Sequence, residues 1–324
     1  MDLVDRVARR LKLRDLRLLD VVVRSKSIAR AAAQLNLTQP AVSKALGELE
    51  HMVGVRLVDR NRQGIEPTPY GRALLKSGVA IFDDLRRGVR EIEFLSDPAS
   101  GDVRISATEP IAAGALPIIV ARLIRRYPRI SIYVTQTPIA VLEYRTPQNR
   151  DLRDRNVDLV LGPIVKGFAE DDLEAESLFE ERPVVVAGTR SKWARRHRLE
   201  LRELIDEHWC MAPPDTLVGS RCVEAFRACG LDVPKRTVLT TSFQLYNGLL
   251  ATERFLSILP DSLVHFSGKR FGIKALPIEL VVPPRVIGIV TLRNRTISTA
   301  AGMFIQTARE VTMPRAKASQ PANS

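Results

Sequence analysis

Apolar residues recur at helical spacing through most of the first 95 positions and then give way to short apolar runs that alternate with helical stretches. Leu16, Leu19, Val22 and Val23 define the inner face of a helix over Leu13 to Arg24. Ser27 is a suitable N-cap for a second helix from Ile28, with Ala31, Ala32 and Ala33 small enough to let another helix cross closely. Asn36 tolerates the left-handed conformation that ends it. Thr38 can cap a third helix, Pro40 sits in its first turn where a missing N–H costs little, and Val42, Ala45, Leu46 and Leu49 face inward. This leaves Gln39, Ser43 and Lys44 facing out. After Gly54, residues 55–67 read as a short hairpin with Asn61 to Gly64 at its tip.

Two short helices with so tight a joint bury little on their own, and the usual reason for the pair is to present the second helix to a DNA groove. Gln can bond an adenine edge, Ser a base or phosphate, and Lys guanine or phosphate. A hairpin beside such a unit is a wing, and Arg60 and Arg62 would lie against the DNA backbone or minor groove. The plain alternative is an ordinary helical hairpin with solvated polar residues.

From Thr68 and Pro69, a helix runs to about Leu95. Leu74, Ala80, Ile81, Leu85, Val89, Ile92 and Leu95 form a stripe near heptad spacing along it. At about 40 Å it is too long to serve a small head alone and suits a dimer seam. Residues 96–101, Ser-Asp-Pro-Ala-Ser-Gly, break it and supply a hinge. Strands are then expected at Asp102 to Ala107, Ile130 to Thr135 and Val157 to Gly162. The helices between them are expected at Pro110 to Arg125 and Val141 to Asn149, an order that implies an open, largely parallel α/β sheet. A second unit is expected to begin with strands at Leu173 to Leu178 and Pro183 to Gly188. The chain returns at Ile273, a last helix covers Ser298 to Val311, and residues 314–324 read as a disordered tail.

Charge sharpens this division. The net charge is +12, and residues 1–76 hold 15 Lys and Arg against 8 Asp and Glu, so seven of the twelve charges lie in the first quarter. A DNA-binding head on a more neutral body has this asymmetry. No apolar run is long enough to span a bilayer, and no signal peptide or lipidation motif is seen, so no membrane partner is expected. Cys210, Cys222 and Cys229 form no Cys-x-x-Cys pair and read as small apolar side chains in a reducing cytoplasm.

Several of these stretches together resemble the N-terminal domain of LysR-type transcriptional regulators. They are Leu16-x-x-Leu19, Ser27-Ile-Ala-x-Ala-Ala, Leu35, Thr38-Gln-Pro-Ala-Val-Ser43, Leu49-Glu50, Gly54-Val-x-Leu-Val-Asp-Arg60 and Thr68-Pro-x-Gly71. The chain departs from the family pattern at Leu19, where a Phe is usual, at Val58-Asp59 in the wing, and at Pro67. The resemblance extends, on element order and on Asn156-Val-Asp-Leu-Val-Leu-Gly-Pro163 and Ile258-Leu-Pro260, to the effector-binding half of that family. It departs again at residues 251–255, Ala-Thr-Glu-Arg-Phe, where many relatives carry glycines.

The resemblance implies four parts: a winged helix-turn-helix at 11–68, a linker and dimerisation helix at 69–96, an effector domain at 97–313, and the tail. The effector domain would have a periplasmic-binding-protein-like fold of two α/β subdomains, one at about 102–166 and 271–311, the other at about 167–270. The DNA-contacting set is Ser27, Thr38, Gln39, Pro40, Ser43, Lys44, Arg60 and Arg62. The expected partners are a double-stranded operator, a second subunit (with a tetramer built from two dimers) and a small effector.

The effector is expected in the cleft between subdomains. Thr108 and the pair Thr241 and Ser242 each follow a strand and precede a helix, one in each subdomain. Hydroxyls and free N–H groups at helix starts favour a carboxylate; as an alternative they are plain N-caps. Glu109, next to Thr108, argues mildly against an anion there. Thr135, Thr137 and Gly162 would line the same cleft. An enzyme would need a catalytic constellation, and none is found: the four histidines are scattered, and no nucleophile elbow or phosphate loop occurs. No cofactor or metal is therefore expected. The competing reading is a solute-binding module without operator specificity.

Overall fold

A computed structural model describes residues 7, 9–61, 64–96, 100–137, 151–164 and 171–319. The chain divides into two compact units, Met1–Val89 and Arg90–Ser324.

The first unit opens with α1 (Leu13–Ser25), α2 (Ile28–Leu35) and α3 (Gln39–Val53). Their ends are written in the local sequence. Ser27 Oγ accepts from Arg30 N at 3.5 Å and Thr38 Oγ1 from Ala41 N at 3.3 Å. Asn36 takes φ 53° to end α2, and Gly54 takes φ 79° to end α3. Leu19, Val22, Ala31, Val42, Leu46 and Leu49 close the core, each large side chain contributing about 1.5–3 kcal/mol through burial. The wing is β1 (Val58–Asn61) paired antiparallel with β2 (Gly64–Pro67). Glu50 ties it to α3, its Oε1 accepting from Leu57 N at 2.7 Å and Val58 N at 3.2 Å. Thr68 then caps α4 (Pro69–Ser96), accepting from Gly71 N at 3.0 Å while donating to Arg56 O at 2.8 Å. A Cβ on Gly71 would stand 1.9 Å from Leu57 O, so only glycine lets α4 cross the wing this closely.

The second unit holds two five-stranded sheets. Sheet I comprises β3 (Ser100–Thr108), β4 (Arg129–Thr137), β5 (Leu159–Ile164), β6 (Leu173–Glu181) and β12 (Arg285–Leu292), in the order β4-β3-β5-β12-β6. The first three are parallel, and β12 runs antiparallel to both β5 and β6. Helices α6 (Ala115–Arg126) and α10 (Thr299–Ser319) bury Ile119, Leu123, Ala301 and Phe304 against it. Sheet II comprises β7 (Pro183–Gly188), β8 (His208–Met211), β9 (Thr237–Leu239), β10 (Phe255–Pro260) and β11 (Ile273–Ala275), in the order β11-β7-β10-β8-β9. Alternation along its strands feeds two cores. Val185, Trp209 and Ile258 pack with α7 (Leu217–Ala228), where Trp209 meets Phe226 edge-on at 5.1 Å. Val186, Cys210 and Leu259 face the other way, towards α8 (Phe243–Ala251) and α9 (Asp261–Phe271).

Four expectations change. Residues 173–181 stay in sheet I as β6, because β12 pairs with that strand along its length, and β11 belongs to sheet II. The chain therefore crosses between sheets at Arg182 and at residues 276–284, not at 167 and 271. Sheet I is mixed rather than largely parallel. The helix expected at Pro110 to Arg125 breaks at Gly114 into α5 (Glu109–Ala113) and α6. The exposed carbonyl of Ala113 is taken up by Ser267 Oγ and Arg270 Nη2, both at 2.9 Å. The residues assigned to a disordered tail begin as helix, since α10 continues through Ser319; Pro314 removes one N–H, and the Arg-Ala-Lys-Ala after it forms helix readily. Arg62, part of the expected hinge, the helix at Val141 to Asn149 and residues 320–324 lie outside the described residues.

Candidate nucleic-acid interface and effector cleft

On α3 the buried face of Val42, Leu46 and Leu49 forces the opposite face outward. Thr38, Gln39, Pro40 and Lys44 are exposed, and Ser43 is half-buried. Lys44 lies 3.9 Å from Glu48 one turn on, an exposed pair too weak to hold it away from a phosphate. Ser27 and Thr38 accept from backbone N–H groups at the helix starts, which occupies a lone pair of each oxygen and leaves the hydroxyl hydrogen to donate. Arg60 is exposed on β1. Gln39, Ser43 and Lys44 thus lie on the face of α3 opposite its buried residues, and Arg60 is exposed on the wing.

The expected effector residues divide into two groups. In sheet I, Thr108 pairs with Thr137 across β3 and β4, and Thr108 Cγ2 would stand 3.1 Å from a Cβ on Gly162. Thr108 is buried and makes no capping bond, and α5 is a five-residue helix with little dipole to offer an anion. Thr135 Oγ1 donates to Ile105 O at 3.3 Å. In the other subdomain, Thr241 and Ser242 are exposed, and Ser242 Oγ caps α8 by accepting from Leu245 N at 3.4 Å.

The carboxylate expected at α8 is supplied by the chain itself. Glu109 Oε1 accepts from Phe243 N at 2.8 Å, bridging the subdomains. Glu109 does more than disfavour an anion nearby: it occupies the anion's place.

Two adjoining cavities fill the cleft. One is bordered by Glu109, Thr240, Thr241, Phe243, Tyr246 and Leu263. The other is bordered by Glu181, Arg182, Arg221 and Cys222. Val218, Leu259, Pro260 and Arg285 line both. Glu181 is buried, accepting from Arg285 Nε at 2.5 Å and from the Ser262 hydroxyl. Arg221 donates to Pro283 O at 2.5 Å. Burial first, and the neighbouring Arg285 charge second, push the Arg221 guanidinium below its usual value. Arg182 is fixed at the crossover, where its backbone exchanges hydrogen bonds with Asp261 at 2.9 and 2.8 Å. Arg182, Arg221 and Arg285 thus border the cleft together with two carboxylates, Glu181 and Glu109, and Phe243, Tyr246 and Leu263 give it an apolar wall. No local pattern in the sequence announces this: Arg221 and Arg285 lie on a helix and a strand far apart in the chain.

Burial raises the Cys210 thiol to about 11 and the Cys222 thiol to about 12, so both stay protonated and unreactive at neutral pH. Among the described residues no cluster of three or more His, Cys, Asp or Glu could hold a metal.

Residues 13–72 match the bacterial regulatory helix-turn-helix protein model of the lysR family, and residues 96–313 match the LysR substrate binding domain. The chain belongs to the LysR family. This LysR-type protein is a DNA-binding transcriptional regulator whose second half is an effector-binding domain. It is 29% identical to the HTH-type transcriptional regulator TdcA of Escherichia coli over 89% of each chain. It is 26% identical to the HTH-type transcriptional regulator GbpR of Azospirillum brasilense over 90% of this chain and 84% of the relative. A full-length OxyR variant from Pseudomonas aeruginosa shares the fold, with TM-score 0.60 at 21% identity over 93% of this chain and 98% of that one. So does full-length CbnR in complex with its target DNA, with TM-score 0.59 at 16% identity over 93% and 100%. No described helix of the regulator is long and apolar enough to cross a membrane.

Proposed function

We propose that this regulator works in the cytoplasm as a dimer or tetramer, reads its operator through Gln39, Ser43 and Lys44, and answers to a small anionic effector in the cleft. Ser27, Thr38 and Pro40 shape the reading helix, and Arg60 and Arg62 grip the DNA backbone. The observation that carries the effector class is the excess of guanidinium groups, Arg182, Arg221 and Arg285, over the carboxylates Glu181 and Glu109, beside an apolar wall of Phe243, Tyr246 and Leu263. A carboxylate with an apolar body suits this better than the helix ends: one is five residues long, and Glu109 already caps the other. Of the threonines, serine and glycine expected there, Thr241 borders the cleft, and the charge is assigned to the arginines instead. The ligand acts by binding one arrangement of the subdomains more tightly than another. The protein needs no catalytic step or cofactor for this.

Arg221→Ala removes a half-buried charge whose recorded hydrogen bond is to one carbonyl. Binding of the cognate acid should weaken about tenfold or more, while effector-free DNA affinity stays unchanged. Calorimetry with a panel of organic acids on the full chain reads this; equal affinity in variant and parent rejects the arginine site. For the DNA face, Gln39→Ala should cost about 1–3 kcal/mol on the specific site and relax one base position. A footprint and affinity unmoved by both Gln39→Ala and Ser43→Ala would remove these residues from the interface.

A further inference from the structure

Two cations of the first unit stand outside the DNA-reading set and outside the residues that carry the family resemblance. Lys26 lies just before Ser27, and Arg30 fills the variable position of Ser27-Ile-Ala-x-Ala-Ala. Both are exposed. Arg24, two residues before Lys26, is held by Asp20 at 2.8 Å. Lys26 and Arg30 have no ion-pair partner among the described residues, so no described carboxylate offsets their charge.

The backbone fixes where they stand. Lys26 takes φ 51° to end α1, its N–H bonded to Val23 O at 3.3 Å. The wing lies against this turn: a Cβ on Gly64 would stand 2.7 Å from Lys26 O and 3.3 Å from Lys26 Cβ. Arg60 pairs with Ile65, the residue next to Gly64, so Lys26 and Arg60 stand on neighbouring stretches of backbone. Arg30 is the third residue of α2. Ala31 and Ala32 pack inward beside it, which leaves Arg30 on the outer face. In a helix-turn-helix the first helix of the pair crosses the phosphate backbone, beside the groove that the second helix enters. Here α2 is the first and α3 the second.

We infer that Lys26 and Arg30 bind phosphates of the operator, on the flank of the groove that the wing also holds. This rests on α3 entering the groove through Gln39, Ser43 and Lys44. From the α1–α2 turn and the start of α2, the two cations meet backbone rather than base edges. They therefore set affinity and register without reading sequence. Each phosphate they neutralise releases counterions, which makes binding fall more steeply with salt.

The salt slope is thus the readout. A specific duplex is recovered by selection from random sequences with the full-length parent, and a scrambled duplex serves as the non-specific probe. Lys26→Asn keeps a residue that tolerates the left-handed turn, and Arg30→Gln keeps a good helix former. Each variant is expected to weaken both duplexes about tenfold, leaving their ratio unchanged, and to lower the slope of log affinity against log salt by about one per head. Arg30→Lys and Lys26→Arg should keep the parent's slope, because a phosphate needs only the charge. Three results overturn the inference: a slope and affinity equal to the parent's in both neutral variants, a fall in the specificity ratio, which would mean base contacts, or an equal loss in the charge-retaining variants, which would mean a structural role. If the neutral variants bind as the parent does yet lose transcription in vitro, the two cations serve a protein partner instead, and the inference fails. A parent that selects no sequence at all sinks the reading of α3, and this inference with it; a selective parent with unaltered variants sinks the inference alone.

Discussion

Leu85→Asp is expected to convert the regulator to a monomer and to lower operator affinity by about a hundredfold or more. Ile81, Leu85, Val89 and Ile92 are 40, 49, 50 and 65% exposed on α4. They repeat at four, four and three residues, the spacing of a helix seam, along a helix of 28 residues. Large apolar side chains in such a row are a liability unless a second copy covers them, and each would contribute about 1.5–3 kcal/mol once covered. A carboxylate at Leu85 would have to be desolvated in the seam. Operator affinity falls with dimerisation because two linked heads bind as one ligand, whereas two separate heads each lose their own freedom. Sedimentation velocity and gel shifts on the same samples measure both effects. A parent protein that sediments as a monomer at micromolar concentration, or a variant keeping both its mass and its affinity, would refute the seam.

The head was legible because its determinants are local. Ser27, Asn36, Thr38, Pro40 and Gly54 each act within a few residues of where they stand, and the structure puts a cap or a left-handed turn at four of them. Glu50, which carries the wing, was hidden because its partners lie seven and eight residues on, across a turn. In the second half the alternation of strands and helices was readable, but membership of a sheet was not. β6 belongs to sheet I through its pairing with β12, more than a hundred residues away, and no local pattern records that. The charges of the cleft were hidden for the same reason. Glu109 meets Phe243 across 134 residues, and Glu181 meets Arg285 across 104. The helix starts at Thr108 and Ser242 invited an anion on local grounds, and a distant carboxylate had already answered one of them.

Arg285→Met is expected to destabilise the effector domain by about 3–5 kcal/mol, which for a unit of this size lowers its melting temperature by about 6–20 °C. Glu181 is 1% exposed and, among the described residues, would keep the Ser262 hydroxyl as its side-chain hydrogen-bond partner. A buried carboxylate stripped of its cation is among the most costly single changes, because its desolvation is no longer offset. The double variant Glu181→Leu with Arg285→Met removes both charges, and apolar replacement of a whole buried pair is often neutral, so most of the lost stability should return. Function should not return with it. The double variant keeps the apolar wall but lacks one of the guanidiniums of the cleft, so the organic acid that most raises the parent's melting temperature should no longer do so. Thermal melts of the three proteins with and without that acid separate the roles. If the double variant regains both stability and response, Arg285 serves only to neutralise Glu181, and the effector's charge is held elsewhere. If the single variant melts with the parent, Glu181 is not the buried anion on which the cleft is built.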